Sequence, residues 1–230
     1  RQQRLRIEAR SEARRERGAS AEAGAETVLV VSHLRGEIEV LPEAGADTLR
    51  CFPRATVPPL VTGDEVLLER EADDPARGVI VALLPRRRLL ARHTAKGLRP
   101  VCANLDLLLV TIAPAPAPHP DLVDRYLLAA ALDGLEAVIV LNKADTVRPD
   151  ARAELDALLD ARRDLGIDVV EVSAHTGAGL EALRAAIRSR SAAFVGQSGV
   201  GKSSLINALL PGADAETGAL SERRNRGRGR

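Results

Sequence analysis

A lysine and two serines close a glycine-rich run near the C-terminal end of this 230-residue sequence, Gly196-Gln197-Ser198-Gly199-Val200-Gly201-Lys202-Ser203-Ser204. The spacing Gly-x-x-x-x-Gly-Lys-Ser suits one task, holding the phosphates of a nucleoside triphosphate. Glycines let the backbone wrap so that successive N–H groups face phosphate oxygens. Lys202 brings positive charge to the β- and γ-phosphates, and the Ser203 hydroxyl can meet Mg²⁺. Lys202 and Ser203 are therefore the candidate catalytic residues, with Ser203 the candidate metal ligand. The apolar run Ala192–Val195 before the loop predicts a strand, and Ser203–Leu210 after it predicts a helix. That helix would turn its positive end toward the same anion. A glycine-rich turn that merely carries Lys-Ser would not need these flanking elements.

Two further stretches have the chemistry to read a base. Asn142-Lys143-Ala144-Asp145 follows the apolar run Glu136–Leu141. The Asp145 carboxylate can accept hydrogen bonds from both N1–H and N2–H₂ of guanine, a pair that adenine does not offer. Asn142 could touch the base edge, and the stem of Lys143 could lie along the ring. Ser173-Ala174-His175 follows Asp168–Val172, and the N–H groups of Ser173 and Ala174 could meet the guanine carbonyl oxygen. Each motif alone is a weak signal. Three strand ends carrying all of them predict a guanine nucleotide site built from Asn142, Lys143, Ala144, Asp145, Ser173, Ala174 and the loop from Gly196 to Ser204. Other chemistries lack support. His33, His93, His119 and His175 have no metal-ligand spacing, and Cys51 and Cys102 form no Cys-x-x-Cys pair.

These motifs need strands to carry them, and the pattern from Leu105 onward supplies strands alternating with helices. Leu122, Val123, Tyr126, Leu127 and Ala130 make one helical stripe that ends at Gly134. Pro149 opens a second helix with Leu155, Leu158, Leu159 and Leu165 on one side, and Leu180, Leu183 and Ile187 align on a third. This predicts an α/β P-loop domain with a mainly parallel sheet and its ligand at the carboxyl ends of the strands. Upstream the texture differs. Five short alternating runs between Glu26 and Pro85, broken by turn signals, fit an all-β barrel of the oligonucleotide-binding (OB) type. An SH3-like barrel or an open meander would give a similar pattern. With Phe52 as its only aromatic residue, the segment is poorly equipped for base stacking. Arg35, Arg50, Arg54, Arg70 and Arg77 could contact phosphates instead, or simply solubilise the surface. Residues 85–100 read as a basic connector without clear periodicity. The domain reading is thus a basic extension over 1–24, disordered or helical, a barrel over 25–92 and a nucleotide-binding domain over 93–230.

Charge is distributed unevenly behind a formal net of +1. Residues 1–17 and 221–230 each carry a net of +4, which leaves about −7 for the body between them. Basic ends on an acidic body suit a polyanion such as RNA, and equally suit solvated tails. No run is long enough to span a membrane, and two distant cysteines suit a reducing, cytoplasmic setting. With no Met and an abrupt end in Arg-Asn-Arg-Gly-Arg-Gly-Arg, the sequence reads as part of a longer protein.

The order of the motifs is unusual, because the base-reading stretches precede the phosphate loop, whereas in ordinary GTPases the phosphate loop comes first. With the barrel in front, the connector Arg92–Asp106, and Asp124-Arg125-Tyr126-Leu127, the sequence resembles the circularly permuted GTPases of the RsgA family over about residues 25–230. The resemblance implies a GTPase, holding GTP or GDP with Mg²⁺, that acts late in maturation of the small ribosomal subunit. It also implies stimulation by the ribosome, a barrel seated on ribosomal RNA, a cytoplasmic monomer and no membrane partner. Thr217–Arg230 would begin the first switch region, and the family's His-Thr-Thr stretch, Asp-x-x-Gly motif and zinc domain would lie beyond residue 230. Little turnover is expected without the switches, and Ala192–Val195 is expected at an exposed sheet edge. Two other readings compete: an RNA-binding module that uses nucleotide only as a structural ligand, and a permuted GTPase of the large subunit.

Overall fold

The computed structural model describes residues 25–210 apart from 35–36, 43–46, 72, 75–76 and 95–96. The basic extension, Arg35 and the stretch read as a switch region lie outside the described residues. The chain divides into two units, Arg1–Leu105 and Asp106–Arg230.

Alternation of apolar and polar residues builds the first unit. Strands β1 (Glu26–Leu34), β2 (Glu37–Leu41), β3 (Leu49–Pro53), β4 (Glu65–Arg70) and β5 (Arg77–Leu83) close into a barrel in the order β1-β2-β3-β5-β4. In β2 and β4 every second residue is buried, placing Ile38, Val40, Val66 and Leu68 inside with Val28, Val30, Cys51 and Ile80. The pair β3–β5 is parallel while the other pairs are antiparallel. An open meander has no parallel pair, so closure and this pairing select the OB-type barrel over that alternative. Burial in this core pushes the Cys51 thiol up to about 11 from an ordinary 9.0. A thiol whose folded pKa is raised favours the folded state at lower pH, and that preference fades between about pH 9 and 11. Iodoacetamide at pH 8 should therefore leave Cys51 unmodified in the native chain and alkylate it in urea, as read by peptide mass. Native alkylation at pH 8 would contradict this packing.

The barrel arginines are largely committed to neighbours. Arg54 pairs with Glu69 at 2.7 Å, Arg77 with Asp74 at 3.5 Å, Arg50 with Glu37 at 4.0 Å, and Arg70 with Glu26. All four guanidinium groups lie at the barrel surface, and Arg35 lies outside the described residues.

Residues 85–100 are more regular than their sequence suggests. Strands β6 (Leu89–Thr94) and β7 (Gly97–Ala103) form an antiparallel hairpin. Its periodicity is hidden because Leu98 and Val101 on β7 are exposed, so apolar residues do not mark one buried face. Below the hairpin, fully buried Asp64 accepts from Arg86 Nε at 2.7 Å, Arg86 Nη2 at 2.9 Å and the Val61 N–H at 2.7 Å. Asn104 accepts from the Arg87 N–H at 2.8 Å and donates to the Gly63 carbonyl at 2.9 Å. A buried carboxylate is tolerable only when paired and hydrogen-bonded in this way.

The second unit is a parallel sheet in the order β10-β9-β8-β11. Along the chain it runs β8 (Leu107–Ile112), α1 (Pro120–Leu132), β9 (Glu136–Leu141), a 3-10 turn (Ala144–Thr146), α2 (Pro149–Arg163), β10 (Asp168–Glu171), α3 (Leu180–Ile187), β11 (Ala192–Val195) and α4 (Lys202–Leu209). Strand β8 is buried at every position, which explains its continuous apolar run. Leu180 and Leu183 of α3 join Leu205 and Leu209 of α4 against Leu107, Leu109, Val138 and Val140 on one face of the sheet. Helices α1 and α2 begin with proline in the first turn, where a missing N–H costs nothing. Leu165 does not join the α2 stripe. The helix ends at Arg163, two residues earlier, and Leu165 is 76% exposed. Among the described residues β11 is an edge strand, as its position beside β8 alone requires.

Candidate guanine nucleotide site

From β8 the chain steps outward to β9 and β10, then returns to the other side of β8 as β11. This reversal creates a crevice at the carboxyl ends of the central strands, where open parallel sheets bind ligands. The loops after β9, β10 and β11 carry the three motifs to it.

The phosphate loop folds tightly because its glycines permit it. Gly196 has φ +144°, and a Cβ there would overlap the Thr111 carbonyl. Gly201 has φ +90°, and a Cβ there would strike the Asn142 side chain. Lys202 donates to the carbonyls of Gly196 at 2.9 Å and Gln197 at 2.7 Å, so its ammonium spans the inside of the turn. Burial holds the Lys202 ammonium below the usual lysine pKa. A phosphate arriving there would replace two neutral acceptors with a charged one, a stronger partner for the same ammonium. Ser203 lies in the first turn of α4, partly buried, and its hydroxyl has no hydrogen bond among the described residues. A free hydroxyl beside a phosphate cradle fits a magnesium ligand. Among the described residues no group of three or more His, Cys, Asp or Glu could hold a metal.

Next to the loop lies a groove of about 420 Å³ lined by Asn142, Lys143, Asp145, Ser173, His175 and Ser204, among others. Asp145 stands in the 3-10 turn, exposed, with no partner for its carboxylate among the described residues. It is free to accept two donors from a base. Lys143 sits at φ +59° and donates to the Gly199 carbonyl at 2.7 Å and the Ala115 carbonyl at 2.9 Å. Those two bonds hold its side chain at the groove that Lys143 helps to line.

Asn142 is placed differently from the expectation that it touches the base edge. It is 1% exposed, donates to the Val200 carbonyl at 2.9 Å and accepts from the Ala174 N–H at 3.2 Å. Its amide is a strut that joins all three loops. The expectation that Ser173 and Ala174 offer free N–H groups also meets a different geometry. The Ser173 N–H donates to the Ala178 carbonyl at 2.9 Å, and the Ala174 N–H is the one held by Asn142. Ser173 Oγ accepts from the Thr176 N–H at 3.0 Å and so shapes the loop from within. Ala144 closes the floor by donating to the Val172 carbonyl at 3.0 Å. Sequence reasoning missed the part played by Ala115, whose carbonyl anchors Lys143; no residue type marks a backbone acceptor.

A barrel followed by a parallel sheet whose Asn142–Asp145 and Ser173–His175 loops come before its glycine-rich loop defines the class as circularly permuted P-loop proteins. Residues 83–229 match the RsgA GTPase family, and the chain belongs to it. Among its relatives is the small ribosomal subunit biogenesis GTPase RsgA of Azotobacter vinelandii, 48% identical over 203 residues, covering 86% of this chain and 59% of that protein. The protein of the same name from Pseudomonas fluorescens is 46% identical over 201 residues, covering 86% of this chain and 58% of that one. The chain thus spans about three fifths of the length of these relatives. The fold is similar to that of YjeQ from Thermotoga maritima, with TM-score 0.68 and 29% identity over 82% of this chain and 66% of that one. It is also similar to YloQ, described as a circularly permuted GTPase, with TM-score 0.62 and 25% identity over 84% of this chain and 67% of that one.

Proposed function

We propose that this chain supplies the barrel and the nucleotide-binding core of a GTP-hydrolysing factor for late maturation of the small ribosomal subunit. The observation that carries the reading is the unpartnered Asp145 carboxylate in a groove that continues into the phosphate loop. A guanine base in the groove would give Asp145 its two donors, and the phosphates would then reach Lys202 and the amides of Gly196–Ser204. Ser203 would hold Mg²⁺, which would neutralise charge on the β- and γ-oxygens. The residues' own contribution to hydrolysis is positioning and charge stabilisation: Lys202 meets charge that develops on the transferred phosphoryl group, and the loop amides fix its orientation. In this reading turnover is slow until the small subunit completes the site. The names of the relatives support the partner, and the basic residues outside the barrel's ion pairs, such as exposed Arg99, suit ribosomal RNA. A cytoplasmic monomer is the working form in this reading; no described helix is long and apolar enough to cross a membrane.

The test is a comparison of GTP hydrolysis by the chain alone, with small subunits and with large subunits. Binding of GDP in preference to ADP, with hydrolysis raised by small subunits only, is the expected result. Preference for ADP would remove the base assignment, and stimulation by large subunits alone would move the protein to the other subunit. Strong GDP binding with no hydrolysis under any condition would favour an RNA-binding module with nucleotide as a structural ligand.

A further inference from the structure

The two walls of the base groove leave it in different directions and meet again behind it. From Asp145 the chain runs through Val147 and Arg148 into α2, which starts at Pro149 and carries Arg152 in its first turn. From Ser173 the chain runs back into β10, which ends at Glu171. Arg152 Nη1 donates to Glu171 Oε2 at 2.9 Å, and Nη2 donates to Glu171 Oε1 at 2.8 Å. Arg152 Nε donates to Asp156 Oδ2 at 2.9 Å, which fixes the plane of the guanidinium from within α2. Arg163 adds a second cation 3.9 Å from Glu171 Oε1. Glu171 is also in register with Leu141, the residue before Asn142, so the clamp sits directly behind the strand ends that carry both motifs.

We propose that Arg152 and Glu171 are positioning residues for base recognition: their two-pronged ion pair fixes the Asp145 loop relative to the Ser173–His175 loop. Backbone bonds hold the strand ends together, with the Val172 N–H on the Leu141 carbonyl at 2.8 Å, and reach the entrance of the 3-10 turn, with the Ala144 N–H on the Val172 carbonyl at 3.0 Å. The 3-10 turn that carries Asp145 is braced locally, by Thr146 on the Lys143 carbonyl. On its other side the turn leads through Val147 and Arg148 into α2, whose first turn is tied to the end of β10 by the Arg152–Glu171 clamp. Stability is a poor reason for the pair, because its side chains are 41% and 30% exposed and such pairs contribute little to folding. A planar guanidinium with two parallel bonds does fix orientation, which a lysine cannot reproduce.

The inference rests on the proposed guanine site, and one pair of nucleotides separates the two. Inosine diphosphate lacks the N2 amino group and so loses one of the two bonds to Asp145. The ratio of GDP to inosine diphosphate affinity therefore reports how well Asp145 is aimed. In the unaltered full chain the ratio should favour GDP; a ratio of one would remove the base assignment itself. In Arg152→Ala the ratio should fall about fivefold or more, while the ratio of GDP to GMP affinity, which reports the phosphate loop, stays put. Arg152→Lys should fall between, and Glu171→Gln should behave like Arg152→Ala, giving an independent measurement should one variant fold poorly. An unchanged GDP-to-inosine-diphosphate ratio in Arg152→Ala and Glu171→Gln, or an equal loss of both nucleotides, would overturn the proposal.

Discussion

Asp145→Asn is expected to lower affinity for GDP by about a hundredfold, with no loss of thermal stability. The loss follows from the hydrogen bonds that a carboxylate can accept from guanine. Bonds to a charged group contribute about 1.5–3 kcal/mol each, and every 1.4 kcal/mol is about a factor of ten. An asparagine keeps one oxygen for N1–H but turns its own N–H₂ toward the N2 amino group, donor against donor. Xanthine carries a carbonyl at that position, so the same asparagine can accept from N1–H and donate to the carbonyl. Affinity for xanthosine diphosphate should accordingly rise in the variant. Stability should hold because Asp145 is exposed and its carboxylate has no partner among the described residues to lose. Titration calorimetry with the two diphosphates measures both changes. Unaltered GDP affinity would sink the guanine assignment; a fall for both nucleotides together would mean that the groove itself had changed.

The groove was legible in the sequence to the extent that its chemistry demands particular residue types. A carboxylate for guanine, a lysine for phosphate and glycines for a tight loop leave few substitutes, and all three stand at strand ends. The inward faces of β2 and β4 were also within reach, since apolar alternation fixes which face turns to the core. Pairing across the fold was not. Arg54 meets Glu69 because β3 and β4 flank β5, and Arg70 meets Glu26 because β4 pairs with β1; no sequence spacing announces either. The same limit explains Asn142. Its residue type suits a base edge as well as a strut, and only the approach of Val200 and Ala174 decides that it is a strut. The hairpin over 89–103 escaped notice because Leu98 and Val101 on its second strand are exposed. Backbone amides such as those of Ser173 and Ala174 are the least legible of all. Every residue but proline has one, so their availability depends entirely on local geometry.

Gly196→Ala should abolish nucleotide binding and cost the α/β unit about 3 kcal/mol or more of stability. Two penalties coincide at this residue. Its φ of +144° is one that side chains rarely adopt, and the added Cβ would run into the Thr111 carbonyl. That carbonyl belongs to β8, a strand buried at every position, so it cannot step aside cheaply. The loop would have to move instead, and with it the two carbonyls that now hold Lys202. Gly199→Ala separates conformation from collision. Its φ of +83° is also unusual for a side chain, but the nearest atom to an added Cβ is Pro116 Cδ at 3.6 Å, an ordinary contact. That variant should lose only about 1–2 kcal/mol, the cost of a left-handed residue, and keep measurable GDP binding. Urea denaturation and GDP titration of the two variants side by side decide the matter. Equal losses would show that conformation alone governs the loop; a well-folded Gly196→Ala that still binds GDP would show that the loop need not lie against β8 to hold phosphate.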